Sequence, residues 1–440
     1  MSTTQAPPGP ARDLYGMLTG DEDARVCTDI PDESCREQPR NYLLHVFSLT
    51  GTSIGDLLAS PKLVLAWLLT NVGAPSFMLG LLVPIRESLS LLPQLFIARW
   101  IREVPVRKWF WVAGSVAQGL CVFAMAFAVT LTSGATAGWL VLGLLVVFSL
   151  SRGVCSVASK DVLGKTIAKT RRGSVSGYAS SIAGAVIVAV GVAGMLPGAE
   201  GRGMSFYVLL LSAAGGLWLL SAGLYSLLNE YAGATEGGGN AFTEAIEQLA
   251  LIRDDAELRN FIIVRTLLIS TALVAPFYVS LMSGASGDAL SGLGALMIAS
   301  GAASFVSAPV WGRLSDRSSR LVMAAAAALA AATGLLTFAV ASLADDAVGL
   351  WWFPAAYFLL SVAHAGVRLG RKTHLVDIAT ADNRAAYVAV SNTIIGIMLL
   401  VGGAFAGAAA AFGPAGAILA LATVSAIGAL TALGLDEAQT

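Results

Sequence analysis

From Tyr42 onward the chain alternates between long apolar runs and short polar turns. The runs fall at about 42–70, 76–98, 109–131, 137–160, 174–197 and 205–228. After a polar interval they resume at about 260–283, 288–311, 321–343, 350–372, 386–411 and 414–434. By length each is read as a membrane crossing, which takes roughly 20 apolar residues as helix. The pattern predicts an all-α integral membrane protein of about twelve transmembrane helices. Composition agrees: mean hydropathy is +0.74, and charged residues make up 12% of the 440, about half the share usual in a soluble domain.

The polar segments define the organisation. Residues 1–40 carry Pro7, Pro8, Pro10 and the acidic cluster Asp21, Glu22 and Asp23, and read as a solvated tail with a short surface helix around 13–18. No basic stretch followed by a short apolar one marks a cleaved signal peptide. A bundle over 41–228 is followed by a linker at 229–259, where Gly237, Gly238 and Gly239 precede apolar positions at 242, 246, 249 and 250. That spacing suits an amphipathic helix at the membrane surface. A second bundle takes 260–440. Cys121 and Cys155 fall in apolar runs, whereas Cys27 and Cys35 lie in the tail with no second pair or nearby histidine. Neither a disulfide framework nor a metal site is implied.

The basic residues are asymmetric. One side receives Arg99, Arg102, Arg107 and Lys108, then Lys165, Lys169, Arg171 and Arg172. It also receives Arg253, Arg259, Arg313, Arg317, Arg320, Arg371, Lys372 and Arg384, whereas the other side receives little besides Arg202. By the positive-inside rule the first side is cytoplasmic, with both termini inside. Abundant Ala and Gly with short loops suit a prokaryotic inner membrane.

The turn Pro309-Val-Trp-Gly-Arg-Leu-Ser-Asp-Arg-Ser-Ser-Arg320 sits between two apolar runs. Its Gly-x-Leu-x-Asp-Arg core resembles the loop signature of the major facilitator superfamily, with Ser319 where that signature usually has glycine. The six-plus-six layout, central linker and inside termini are similar to that superfamily as well. The matching first-half turn, Ala98 to Lys108, keeps the basic residues but lacks the Gly and the Asp. Short echoes between the halves, such as Pro93-Gln-Leu-Phe with Pro309-Val-Trp-Gly, fit an internal repeat. The resemblance implies that Gly312, Asp316, Arg317 and Arg320 stabilise one conformational state. It also implies that helices one, four, seven and ten line a central cavity. Arg152 resembles the arginine of a second superfamily signature linked with proton coupling.

Ionisable residues inside the runs are expensive to leave facing lipid. They are Asp56, Lys62, Arg86, Glu87, Arg152, Arg265, His364 and Arg368. Arg152, Arg265, His364 and Arg368 are candidate ligands for an anionic small-molecule substrate; the competing reading is interfacial snorkelling and helix anchoring. Asp56 and Glu87 are candidate carriers of a coupling proton; the competing reading is structural pairing with Arg86 or Arg152. Trp67, Trp109, Trp139, Trp351 and Trp352 fall near run ends, as an interfacial belt does.

No phosphate-binding Gly-x-x-x-x-Gly-Lys-Ser/Thr loop, zinc-protease His-Glu-x-x-His or nucleophile-elbow Gly-x-Ser-x-Gly occurs, so neither direct ATP drive nor an enzyme is expected. No cofactor and no nucleic-acid partner is implied. The expectation is a secondary active transporter of a small solute, monomeric among membrane lipids and working by alternating access. The alternative is a sensor or lipid scramblase of the same fold.

Overall fold

The computed structural model describes residues 14–17 and 30–437, apart from 93, 95–96, 98–99, 102, 197–202, 234, 236–250, 288–289, 316 and 380–383. All regular structure among the described residues is helical. The first half comprises α1 (Asp32–Leu58), α2 (Val64–Asn71), α3 (Phe77–Leu91), α4 (Lys108–Leu131), α5 (Gly134–Thr166), α6 (Lys169–Met195) and α7 (Gly203–Ser226). The second comprises α8 (Leu251–Asp254), α9 (Ala256–Leu268), α10 (Ser270–Leu273), α11 (Ala275–Ala285) and α12 (Leu290–Ser315). It continues with α13 (Ser319–Leu343), α14 (Asp346–Asp377), α15 (Arg384–Ala409) and α16 (Gly413–Ala432).

Among the described residues, nine helical runs are long and apolar enough to cross a membrane. The last of them, 387–432, holds two helices, because the chain turns at Ala410–Phe412 and at Gly413, whose φ of 81° is unfavourable for a side chain. The first expected crossing is two helices, α1 and α2, and the seventh is three, α9 to α11. The expected linker helix over 242–251 lies, but for Leu251, outside the described residues.

α1 begins within the stretch read as a solvated tail. Its polar first turns are held by partners rather than by an apolar face. The Gln38 side-chain Oε1 accepts from the Ala168 amide at 2.8 Å, and the Asn41 side chain exchanges two hydrogen bonds with the Asn229 backbone at 3.0 Å. Tyr15, on the helical turn 14–17, stacks edge-on against Tyr42 and accepts from Gln38. Cys35 is disulfide-bonded, contrary to the expectation from the sequence.

One end of the molecule carries Lys108, Lys165, Arg172 and Arg320 at helix termini, and is called the basic end below. The halves pack along two seams, α3 against α15 and α6 against α12, and also where α2 meets α11 near the opposite end. Small residues make the first seam possible: a Cβ on Gly80 would lie 2.6 Å from the Gly407 nitrogen. In the second, a Cβ on Gly294 would lie 2.5 Å from the Gly191 carbonyl oxygen. Ser88 Oγ donates to the Gly396 carbonyl across the first seam at 2.6 Å, and Asn71 reaches Ser283 at 3.2 Å beside α2 and α11. At the basic end, α1 and α5 form no comparable seam with α9 or α14, so the halves diverge there.

Each half is tied off at the basic end in the same way. Glu230, just beyond α7, has a fully buried side chain that accepts from the backbone amides of Arg107 and Lys108 at 2.6–2.9 Å. It thereby caps the first turn of α4 from outside the helix. Lys165 pairs with Glu230 and with Asp161, and Asp161 takes Arg107 at 2.5 Å. In the second half Glu437, just beyond α16, accepts from Ser318 at 2.8 Å and pairs with Arg320 at 3.4 Å at the start of α13.

Candidate functional site

The helix breaks place the polar groups. Between α1 and α2, Pro61 has no N–H to give and restricts Ser60, so the helix stops. The Ser60 carbonyl then accepts from the amides of Leu63 and Leu65, and Lys62 sits in the gap. In the second half the break between α9 and α10 places Thr271 on the short α10. Lys62 Nζ lies 3.0 Å from His364 Nε2 on α14, and Thr271 Oγ1 lies 3.1 Å from His364 Nδ1. An ammonium can only donate, so His364 accepts at Nε2 and donates from Nδ1 to Thr271, whose hydroxyl passes a hydrogen bond to the Leu268 carbonyl at 2.9 Å. Tyr357 OH donates to the Lys62 carbonyl at 3.4 Å. Lys62 is thus a first-half residue held by second-half groups, between two interrupted helices. Broken helices line substrate sites in many transporters for the same reason, since their freed polar groups face a cavity.

A second cluster belongs to the first half. Asp56 on α1 receives Arg86 of α3 at 3.0 Å on one oxygen and Arg152 of α5 at 2.5 Å on the other. The Arg86 guanidinium lies over the Phe148 ring, 5.1 Å from its centre. Glu87 joins the two clusters: Lys62, Arg86, Arg371 and Arg152 all act on it electrostatically. Arg368 and Arg371, one turn apart on α14, act in turn on Lys62 and His364.

The charges do not balance. Among the described residues, Lys62, Arg86, Arg152, Arg368 and Arg371 face only the carboxylates Asp56 and Glu87. Arg368 is exposed, and no hydrogen bond or ion pair holds it among the described residues. This mid-chain excess of cations lies between α1 and α5 on one side and α14 on the other, where the halves diverge.

The residues singled out from sequence divide into three groups. Asp56, Glu87, Arg152, His364 and Arg368 come together in this interhalf cluster. Arg265 is buried to the side, its guanidinium donating to Ser391 and to Asn392 Oδ1 on α15, with Arg371 among its neighbours. Gly312, Arg317 and Arg320 lie at the basic end: Gly312 has open space around it, Arg317 is exposed, and Arg320 pairs with Glu437. Asp316 is outside the described residues. Ser319 is buried and meets His374 Nδ1 of α14 at 3.0 Å. Three cluster cations were not among the site residues read from the sequence: Arg86, weighed there only as a structural partner of the carboxylates, and two others. Lys62 had a signal in its proline neighbour, and Arg371, counted with the loops, lies within α14 because that helix runs on to Asp377.

Comparison with known proteins adds the family. The family model for the Major Facilitator Superfamily matches residues 261–440. No curated protein matches the chain in sequence. Among solved structures, a variant of the nucleoside transporter NupG superposes with a TM-score of 0.69 at 12% identity, covering 90% of this chain and 100% of that one. A POT family transporter in complex with a thioalcohol-conjugated peptide gives a TM-score of 0.67 at 11% identity, covering 92% and 98%. The xylose transporter XylE from E. coli, in an inward-open conformation, gives 0.62 at 12% identity, covering 89% and 95%. The family model thus covers most of the second half, and the fold of these transporter structures runs along nearly the whole chain.

Proposed function

We propose that the protein is a secondary active transporter that moves a small anionic solute across the membrane by alternating access. The observation that carries this reading is the uncompensated positive charge between the halves, with Arg368 exposed and unpaired in it. Buried charge of one sign is costly unless it is neutralised, so an anion is the solute that such a cleft stabilises. The transporter structures sharing the fold, which handle nucleosides, peptides and xylose by their printed names, support the mechanism class rather than the solute.

In this reading the units that rock are 41–228 and 260–440, joined by the linker 229–259, with both termini and the basic end in the cytoplasm. The anion enters from the basic end and is met by Arg368, Arg371 and Lys62. Asp56 carries the coupling proton: protonation removes the charge that holds Arg86 and Arg152. The freed guanidiniums then become available to the solute. Glu87, surrounded by cations, competes with the anion for them until it is displaced.

The test is a thermal-shift screen of the purified protein against anionic, neutral and cationic metabolites at two pH values. Ligand that binds the folded state raises apparent stability by mass action. Stabilisation by anions, abolished in Arg368→Ala, is the expected result. Stabilisation by lipids or hydrophobic cations alone refutes the anion site.

A further inference from the structure

The cation-rich cleft contains two carboxylates, and they are held differently. Asp56 is gripped, with Arg86 at 3.0 Å on one oxygen and Arg152 at 2.5 Å on the other. Glu87, the neighbour of Arg86 on α3, is not. Among the described residues no hydrogen bond or ion pair engages its carboxylate, although Lys62, Arg86, Arg371 and Arg152 all lie within electrostatic reach. Arg371 is in the same condition: Glu87 and Arg368 act on it, and nothing holds its guanidinium. Both side chains are half-buried, and their charged ends are not sealed from solvent. Opposite charges that attract without touching leave room between them for a further group.

The two carboxylates mark two positions at which the cleft holds negative charge. One is beside the guanidiniums of Arg86 and Arg152 in the first half. The other is among Lys62 and Arg371, with Arg368 one turn away on α14. They belong to one continuous cluster, since Arg86 acts on both Lys62 and Glu87. The number of anionic groups a solute needs follows from these positions. A single carboxylate set among Arg368, Arg371 and Lys62 leaves the first-half pair bare once Asp56 is protonated. Charge taken out of water and left unpaired is costly, whereas carboxylate–guanidinium pairs are among the stronger hydrogen bonds.

We infer that the solute carries two separated carboxylates, one received by Arg368, Arg371 and Lys62 and the other by Arg86 and Arg152 when Asp56 is protonated. The inference rests on the anion reading above and makes the substrate class dicarboxylates. A solute held in this way ties α14 of one half to α3 and α5 of the other. The proton on Asp56 is what admits its second carboxylate.

The experiment compares malonate, succinate, glutarate and adipate, each with its own monoamide, which keeps the shape and removes one charge. Inorganic phosphate serves as a compact dianion. Binding to the purified full-length protein is measured calorimetrically for wild type, Arg152→Gln and Asp56→Asn. The expected result is that the best dicarboxylate binds about tenfold or more tightly than its monoamide, as one further charge-assisted hydrogen bond provides. Arg152→Gln should narrow that ratio. Asp56→Asn should widen it, because the second carboxylate no longer competes with Asp56 for the guanidiniums. If one variant fails to fold, the other and the wild-type ratio still decide. Equal binding of dicarboxylate and monoamide to wild type overturns the inference and leaves the anion reading standing. A ratio that neither variant moves overturns it too, as does phosphate binding more tightly than every dicarboxylate. If no dicarboxylate binds, the inference falls, and the anion reading is decided by the thermal-shift screen.

Discussion

Gly80→Ala tests how the halves meet. The added Cβ would lie 2.6 Å from the Gly407 nitrogen, 2.9 Å from its Cα and 3.1 Å from the Ala406 carbonyl carbon. All three are backbone atoms and cannot rotate away. Restoring a normal carbon contact of about 3.5 Å or more requires α3 and α15 to part by about 1 Å. Overpacking of this kind costs about 1–3 kcal/mol, and alanine in place of a helical glycine returns about 0.5–1 kcal/mol. The net loss is about 1–2 kcal/mol, enough for roughly a tenfold population shift. It falls on the arrangement in which this seam is closed, so the alternative arrangement gains. Gly143→Ala is the control, because a Cβ there meets nothing within 4 Å and the residue is exposed on α5. It should raise stability slightly. Thermal unfolding in detergent reports the first effect. Spin labels at Lys160 on α5 and Lys372 on α14, both exposed near the basic end, report the second. The labelled distance should shorten in Gly80→Ala and stay unchanged in Gly143→Ala. If Gly80→Ala behaves like the control in both assays, the close approach of α3 and α15 is wrong.

Other outcomes follow from single contacts. Glu230→Ala removes the acceptor for two α4 amides and for Lys165, and should destabilise the protein by about 3 kcal/mol, as breaking a buried pair does; a melting temperature within error of wild type would refute the capping role. Asp56→Asn should abolish accumulation driven by a pH gradient while solute exchange between equal compartments persists; retained pH-driven accumulation removes Asp56 as the proton carrier. Asp255, at the N-terminus of α9, is drawn upward by burial, but hydrogen bonds from the Tyr387 hydroxyl and the Leu258 amide outweigh this and hold its carboxyl below the ordinary range. Its contribution to stability is therefore present above the unfolded carboxyl pKa and is lost as pH falls through the lower folded value. The stability gap between wild type and Asp255→Asn should be flat near neutrality and close below about pH 4.

Much of the architecture is legible as apolar run length, because a helix in lipid must be long and must satisfy its own backbone. The interruptions are less legible. Pro61 is a local sign of a break, but prolines are tolerated in membrane helices, so it does not by itself reveal that the chain opens there and presents Lys62 to His364. Arg371 illustrates a different limit. Hydropathy falls at Arg368, Arg371 and Lys372, which reads as a helix leaving the membrane, yet α14 carries Arg371 on as part of the interhalf cluster. Partners distant in sequence, such as Glu230 with the start of α4 or Gly80 with Gly407, depend on tertiary packing. Asp56 shows the converse: the sequence offered both a coupling proton and a pair with Arg86 or Arg152, and the geometry contains the pairing on which the proposed coupling acts.

The most direct test of the account uses proteoliposomes and the anion that stabilises the purified protein most. Under an imposed pH gradient, internal concentration of that anion is followed with wild type and Arg368→Ala. The account predicts accumulation above the external concentration with wild type, collapse on adding a protonophore, and none with the variant. Equilibration without accumulation, or no flux while lipids scramble between leaflets, would contradict it.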